Sequence, residues 1–384
     1  ELIDTFTENN AKEDRYEISV ASCVFKGREI KAKTKGVKYY YFRTPFYLSL
    51  ADKMYYLYVD RIEKDWRSMF RQYCFRNRHY IKKITETLDL KAYDAVIVEN
   101  NMSLLEKLSE VMGEEFERKC MYHMHSNLVD NEEMIPYLAR CRKILAVSDY
   151  VKDHLYQTVP QLQNTEIVKV TNGIRGWTYS TEERQSLREQ MRDRYHVGEE
   201  ETIYLFAGRV SPEKGVLEMT RAFRAVLPRL RHKSRPCLLS DQPVRDRIKS
   251  LIINRAVKNG GRHQSPESII LTGYINHEDV AKYHVMADAQ IVPSIMDDPA
   301  PLTVLEGMSM GNFLLLSKAG GIPEYSANYS NKIFFERGDS FEKNIRDAFL
   351  SYDQDKAPHR YENSANHFGE ERYYRELAEA VDVS

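Results

Sequence analysis

Cysteine is scarce in this 384-residue sequence, and long apolar runs are missing. The five cysteines, Cys23, Cys74, Cys120, Cys141 and Cys237, are scattered, and no two stand at C-x-x-C spacing. That excludes a disulfide framework and a recognisable zinc site, and it suits reduced thiols in a cytosol. No hydrophobic stretch approaches the roughly 18 residues of a membrane-spanning helix, and the sequence as given does not open on a signal-peptide pattern. The expected location is therefore cytoplasmic. A large excess of one charge is also lacking, since the net charge is −1; 42% hydrophobic and 29% charged residues describe a folded, soluble chain rather than a disordered one. The length exceeds one ordinary core and predicts two α/β domains.

Strand-like segments at Tyr16 to Val24, Val37 to Phe42, Ala95 to Glu99, Lys119 to His123, Lys143 to Val147 and Glu166 to Val170 alternate with helical ones. Alternation of this kind signals a parallel sheet covered on both faces. A turn at Thr171-Asn172-Gly173-Ile174 and a polar helix from Thr181 to about Tyr195 place a domain boundary near 174 to 200. A second set follows at Thr202 to Ala207, Pro236 to Ser240, Ser268 to Thr272, Ala289 to Val292 and Phe313 to Ser317, with a last helix from about Asn363 to Val381.

Three segments carry chemistry. Thr202 to Gly208 reads as a buried strand, and Arg209-Val210-Ser211-Pro212-Glu213-Lys214-Gly215 as the loop that opens a helix running to about Pro228. Arg209 and Lys214 thus emerge at the C-terminal end of a parallel strand, where such sheets bind ligands; a fork and a point charge suit a pyrophosphate. Further on, Pro293-Ser294-Ile295-Met296-Asp297-Asp298 leads through Pro299-Ala300-Pro301 into a helix expected from about Leu302. Asp298 and Glu306, eight residues apart, flank its N-terminus. The unpaired N–H groups there attract a diphosphate, and a carboxylate on either side can accept from sugar hydroxyls. Third comes Ala319-Gly320-Gly321-Ile322-Pro323-Glu324.

In this order and spacing the segments resemble the G-R-x4-K-G, P-S-x-x-x-E-x7-E and G-G-x-P-E patterns of the retaining glycosyltransferases of family 4. The resemblance implies an α/β GT-B fold: two Rossmann-like domains whose parallel sheets face a central cleft, with a C-terminal helix returning to the N-terminal domain. The corresponding bounds are 1–174 for the acceptor domain, 175–362 for the nucleotide-sugar domain and 363–384 for the returning helix. It also implies hexosyl transfer, with retention, from a nucleoside diphosphate sugar, UDP-linked in first place, to a glycan or lipid-linked acceptor of bacterial surface polysaccharide or lipopolysaccharide core. Arg209 and Lys214 would stabilise the leaving diphosphate. Asp298 would hold donor-sugar hydroxyls and Glu306 the ribose diol, while Gly208, Ala300, Pro301, Leu302, Thr303 and Tyr274 would line the donor. At the end of the strand Lys119 to His123, His123 and His125 would share one side if the strand reached His125. The resemblance makes His125 the residue facing the donor sugar. Asn100 and Asn101, at the neighbouring strand end, contact the acceptor or brace the histidine; His123 joins them on the acceptor side. No D-x-D-like element stands in a metal-binding context, so no essential metal and no bound cofactor are expected. A non-catalytic GT-B-like subunit supporting another transferase is the alternative. An epimerase lacks this arrangement, and a phosphorylase needs a cofactor lysine site that is not seen.

The sequence departs from the family at four places. Glu1 to Phe6 reads as the middle of a helix where members begin with a strand and a glycine-rich loop, so the expectation is that this element is missing. Pro236 to Pro243 lacks the usual glycine turn. Asp298 replaces a glutamate and reaches one methylene less far, and Pro301 replaces a glycine and has no N–H to donate.

Charge is unevenly spread. Between Lys26 and Lys83 there are 16 Lys/Arg against five Asp/Glu, interleaved with Tyr39, Tyr40, Tyr41, Phe42, Phe46, Tyr47, Tyr55, Tyr56, Tyr58, Trp66, Phe70, Tyr73, Phe75 and Tyr80. Such interleaving suits an anionic membrane surface, a stacked nucleic acid, or a basic face beside a core of aromatics. The resemblance favours peripheral contact with the inner face of the cytoplasmic membrane and no nucleic acid.

Overall fold

Parallel pairing runs through every sheet in the computed structural model, which describes residues 2–24, 34–58, 74–127, 132–230, 233–239, 269–352 and 368–382. The chain divides into two units, Glu1–Thr171 with Glu370–Ser384, and Asn172–Gly369. Parts of the basic aromatic segment (26–33 and 59–73) and of the departure at 236–243 (240–243) lie outside the described residues.

In the first unit, β1 (Ser19–Val24) and β2 (Lys38–Arg43) form one sheet. β3 (Val96–Glu99), β4 (Cys120–Met124), β5 (Lys143–Ala146) and β6 (Ile167–Lys169) form another, in the order β3-β4-β5-β6. The single sheet expected for these six strands is therefore two among the described residues: alternation with helices fixes parallel direction but not which strand neighbours which. β4 is buried at all five positions, as a strand covered on both faces must be. Helices α1 (Leu2–Glu13), α2 (Phe46–Tyr58) and α3 (Cys74–Thr87) belong to this unit. So does the C-terminal helix Glu370–Val381, which returns here as the GT-B resemblance implies. Its Tyr374 ring lies 5.1 Å from that of Phe6 on α1, and its Tyr373, Leu377 and Ala380 are buried with Leu145 and Val170. The Glu376 carboxylate accepts from the backbone N–H of Thr171 at 2.7 Å.

The second unit is built on one six-stranded sheet: β7 (Thr202–Ala207), β8 (Ser234–Leu239), β9 (Ile270–Gly273), β10 (Ala289–Val292), β11 (Phe313–Ser317) and β12 (Lys332–Phe335), in the order β12-β11-β10-β7-β8-β9. β12 has no counterpart among the expected strands. Chain order runs outward in one direction from β7 and in the other from β10, so the sheet has its switch point between those two neighbours, with a crevice at their C-terminal ends. Helix α4 (Thr181–Arg194) opens on a capping box in which Ser180 Oγ accepts from Glu183 N–H (3.1 Å) and the Glu183 carboxylate accepts from Ser180 N–H (2.8 Å). Helix α5 (Val216–Val226) buries Val216, Met219, Ala222, Phe223 and Val226, one face at helical spacing. Phe223 and Phe349 meet Tyr204 of β7 edge-on, with ring centroids 5.9 and 4.8 Å away. Helices α6 (His277–Met286) and α7 (Leu302–Ser309) complete the parts that shape the crevice. Among the described residues no helix is long and apolar enough to cross a membrane.

Candidate functional site

At the switch point of the second unit, a pocket of about 220 Å³ is lined by Gly208, Lys214, Ser294, Asp298, Ala300, Pro301, Leu302 and Thr303, with β7 and β10 behind it. Two loops make its floor. After β7 the chain passes Gly208, forms a short turn at Pro212–Lys214 and enters α5 through Gly215, at φ +66. A Cβ on Gly215 would lie 1.9 Å from the carbonyl oxygen of Pro293, so the loops after β7 and β10 touch where no other residue fits. Ile295 N–H donates to Glu213 O at 2.9 Å and stitches them further. Across this contact Lys214 Nζ stands 2.5 Å from Asp298 Oδ2.

The glycine pair at 320–321 fixes Asp298 from the other side. Gly320 has φ +57, and a Cβ there would lie 2.6 Å from Asp298 O. Gly321 N–H donates to that same oxygen at 2.7 Å, and Gly320 N–H to Asp297 Oδ1 at 2.8 Å. Arg337 Nη2 holds Asp297 Oδ1 at 2.8 Å. Asp297 is thus a strut of the loop, and Asp298 is the carboxylate delivered to the pocket.

Helix α7 starts on the pocket wall. Pro301 is its N-cap residue, no side chain caps it, and Val304 N–H turns back to Pro301 O at 3.0 Å. The N-terminal dipole and first amides therefore face a space lined by Ala300 to Thr303. One turn in, the buried Glu306 has Oε1 3.8 Å from His277 Nδ1, whose ring lies 5.4 Å from that of Trp177. The helix is pressed onto β10: Gln290 Nε2 donates to Thr303 O at 2.8 Å, and a Cβ at Gly307 would lie 1.8 Å from Gln290 Oε1. Glu213, beside Arg209 (3.9 Å), is held below the usual carboxylate range; burial alone would raise it, but the Ser211 hydroxyl, a backbone amide and the Arg209 and Lys214 charges prevail.

The first unit holds a second cluster at the ends of β3 and β4, where Glu99 and His123 are register partners. Glu99 Oε2 lies 2.7 Å from His125 Nε2 and 3.1 Å from His123 Nδ1. Asn100, at φ +48, accepts on Oδ1 from His125 N–H and from the Ser126 hydroxyl, each at 3.1 Å, and donates its own N–H to His123 O at 2.9 Å. It braces the histidine loop. Asn101 instead precedes the next turn and accepts from Ser103 Oγ at 2.7 Å. The three ligand-type atoms of Glu99, His123 and His125 lie within 4.8 Å of one another, a donor set that a transition metal could use.

Of the expected site residues, Gly208, Lys214, Asp298, Ala300, Pro301, Leu302 and Thr303 meet in one pocket. Arg209 lies outside its lining and is mostly exposed; Glu306 sits behind the helix start, and Tyr274 is exposed beyond β9. His123, expected on the acceptor side, is fully buried and offers no surface to an acceptor. The strand ends at Met124, and both imidazoles nevertheless turn to Glu99, a residue the sequence reading passed over. Its place at the end of β3 was the available signal. His277, beside Glu306, and Trp177, against the His277 ring, were also passed over.

Residues 187–368 match the family model "Glycosyl transferases group 1". Over 249 residues the chain is 26% identical to the lipopolysaccharide 1,2-N-acetylglucosaminetransferase of Salmonella typhimurium; the match takes in 64% of this chain and 60% of that protein's length. Two solved structures are similar throughout. One is sucrose-phosphate synthase from Thermosynechococcus elongatus (TM-score 0.67, 13% identity, 99% of this chain and 89% of that one). The other is Anabaena HepE in complex with UDP and glucose (TM-score 0.65, 16% identity, 99% and 95%). Residues 187–368 are thus similar to a glycosyltransferase group 1 domain, in a chain whose two parallel-sheet units have the fold of GT-B glycosyltransferases.

Proposed function

We propose that the protein is a retaining hexosyltransferase that uses a nucleoside diphosphate sugar, UDP-linked in first place, to extend a glycan or lipid-linked acceptor in bacterial surface polysaccharide synthesis. The observation that carries this reading is the pocket at the switch point, where Lys214, Asp298 and the uncapped start of α7 converge. A diphosphate takes Lys214 and the α7 amides, with Arg209 closing from the rim; this releases Asp298 from its ion pair to accept from donor-sugar hydroxyls. Glu306, one turn further in, accepts from the ribose. As the glycosidic bond breaks, negative charge grows on the leaving diphosphate, and fixed positive groups lower that barrier more than they stabilise the bound donor. These cations supply the charge that a metal would otherwise bring, and the reaction proceeds without one. Retention follows the family resemblance. The name of the Salmonella relative supports a surface-glycan acceptor, and the UDP-bound relative supports the donor class.

We place the enzyme at the cytoplasmic face of the membrane. Helix α2 supports this: Phe46, Tyr47, Leu50, Met54, Leu57 and Tyr58 are all exposed on it, whereas Asp52 turns inward to the start of α3, accepting from Phe75 N–H and Arg76 Nε, both at 2.7 Å.

The test is a panel of UDP-, GDP-, ADP- and dTDP-sugars read by thermal shift and by release of nucleoside diphosphate. One donor class should stabilise the protein, and Lys214→Ala or Glu306→Ala should weaken it by about tenfold to a hundredfold, the worth of one or two charge-assisted hydrogen bonds. Failure of every nucleotide to stabilise the unmodified protein would refute the reading in favour of a binding subunit.

A further inference from the structure

The Glu99 carboxylate faces two imidazole nitrogens at once, and that geometry has a consequence for protons. An ionised carboxylate only accepts, so each nitrogen pointing at it must carry hydrogen. His123 therefore carries its proton on Nδ1 and His125 on Nε2. The other nitrogen of His123, Nε2, is buried without a hydrogen-bond partner among the described residues. The ring of His125 packs 4.1 Å from that of His123, and Asn100 fixes its backbone N–H.

We infer that Glu99 is a positioning residue that locks His125 as the Nε2–H tautomer, so that His125 presents Nδ1 as a hydrogen-bond acceptor. A ligand group that engages this nitrogen must then be a donor, such as a sugar hydroxyl. That catalytic consequence rests on the transferase reading, whereas the tautomer does not. Burial is the main influence that lowers the His125 pKa, aided by His123 and opposed by Glu99, which keeps the ring neutral near pH 7. Glu99 itself lies below the usual carboxylate range: burial alone would raise it, and the two histidines overcome that. Among the described residues, Tyr122 of β4 and Tyr373 of the C-terminal helix also feel Glu99; burial raises both and leaves them neutral. A metal held by the same three residues would need the lone pair of His123 Nδ1 and would drive its hydrogen to Nε2, which has no acceptor among the described residues.

The tautomers can be read on the full chain by long-range 15N–1H correlation with labelled histidine at pH 7.5, the His125 signals being those lost in His125→Ala. The expected spectrum shows His125 protonated on Nε2 and His123 on Nδ1. In Glu99→Gln the amide accepts from one ring and donates to the other, so one ring should invert its tautomer. Donor turnover should then fall about tenfold or more through kcat rather than KM, with a changed pH profile, and Glu99→Asp should restore part of it. A cationic or Nδ1–H His125 in the unmodified chain would overturn the inference without any variant. So would unchanged signals in Glu99→Gln, or micromolar zinc binding that His123→Ala abolishes. Because these spectra need no substrate, they stand or fall apart from the nucleotide panel.

Discussion

At the residue scale, the site depends on places where a side chain cannot be added. Gly320 has a left-handed backbone and a Cβ added there would lie 2.6 to 3.0 Å from three backbone atoms of Asp298, whereas Gly338 has φ +97 in open space. The backbone penalty is common to both and costs about 1–2 kcal/mol. At Gly320 a methyl must also displace the loop that carries Asp298, adding about 1–3 kcal/mol. Gly320→Ala should therefore lower the thermal midpoint more than Gly338→Ala and weaken nucleotide binding, which Gly338→Ala leaves alone. Equal effects in calorimetry and nucleotide titration would show that the glycine pair does not shape the pocket. The residues of this pocket were legible in the sequence because they lie close together along the chain, Gly208 with Lys214 and Asp298 with Ala300 to Thr303. Glu99 was not, because it meets His123 and His125 across strands, 24 and 26 residues away, and such pairing leaves no spacing to read.

Helices and strands show the same division. β7, β10 and β11 lie where their apolar runs put them, since a strand buried on both faces needs a continuous hydrophobic stretch. β12, at the edge of the sheet, is fully buried only at Phe335 and so lacks the continuous buried run that marks β10. For α2 the aromatics were visible in the sequence, but which of them face outward depends on the buried anchor at Asp52. An exposed face running from Phe46 to Tyr58 beside Lys53 suits insertion of apolar side chains at a lipid headgroup boundary. The protein should cosediment with vesicles rich in phosphatidylglycerol, less so as salt rises. Leu50→Glu with Met54→Glu should abolish that binding while leaving nucleotide-induced stabilisation intact. Full retention of vesicle binding by the double variant would remove α2 from the membrane contact.

For the molecule as a whole, acid stability follows from histidines that each unit buries in neutral form. In the second unit His284 is fully buried, with Nδ1 2.8 Å from Asn312 Oδ1, and its pKa is brought down to about 4, chiefly by burial and against that hydrogen bond. The unfolded chain takes up a proton near pH 6.5 that the native chain refuses until about pH 4. Stability from this group is thus complete above pH 6.5 and is lost as pH falls, in total on the order of 3 kcal/mol. His125 in the first unit shifts the same way, so both units weaken over the first stage of acidification. Glu99, with a lowered pKa, adds its loss only below the ordinary carboxylate value of 4.5. The thermal midpoint should therefore begin to drop near pH 6.5, before carboxylates titrate, and steepen below 4.5. His284→Asn keeps a donor toward Asn312 and removes the titration, so it should flatten the first stage. A midpoint constant between pH 6.5 and 5 in the unmodified protein would mean that the buried imidazoles do not govern its acid response.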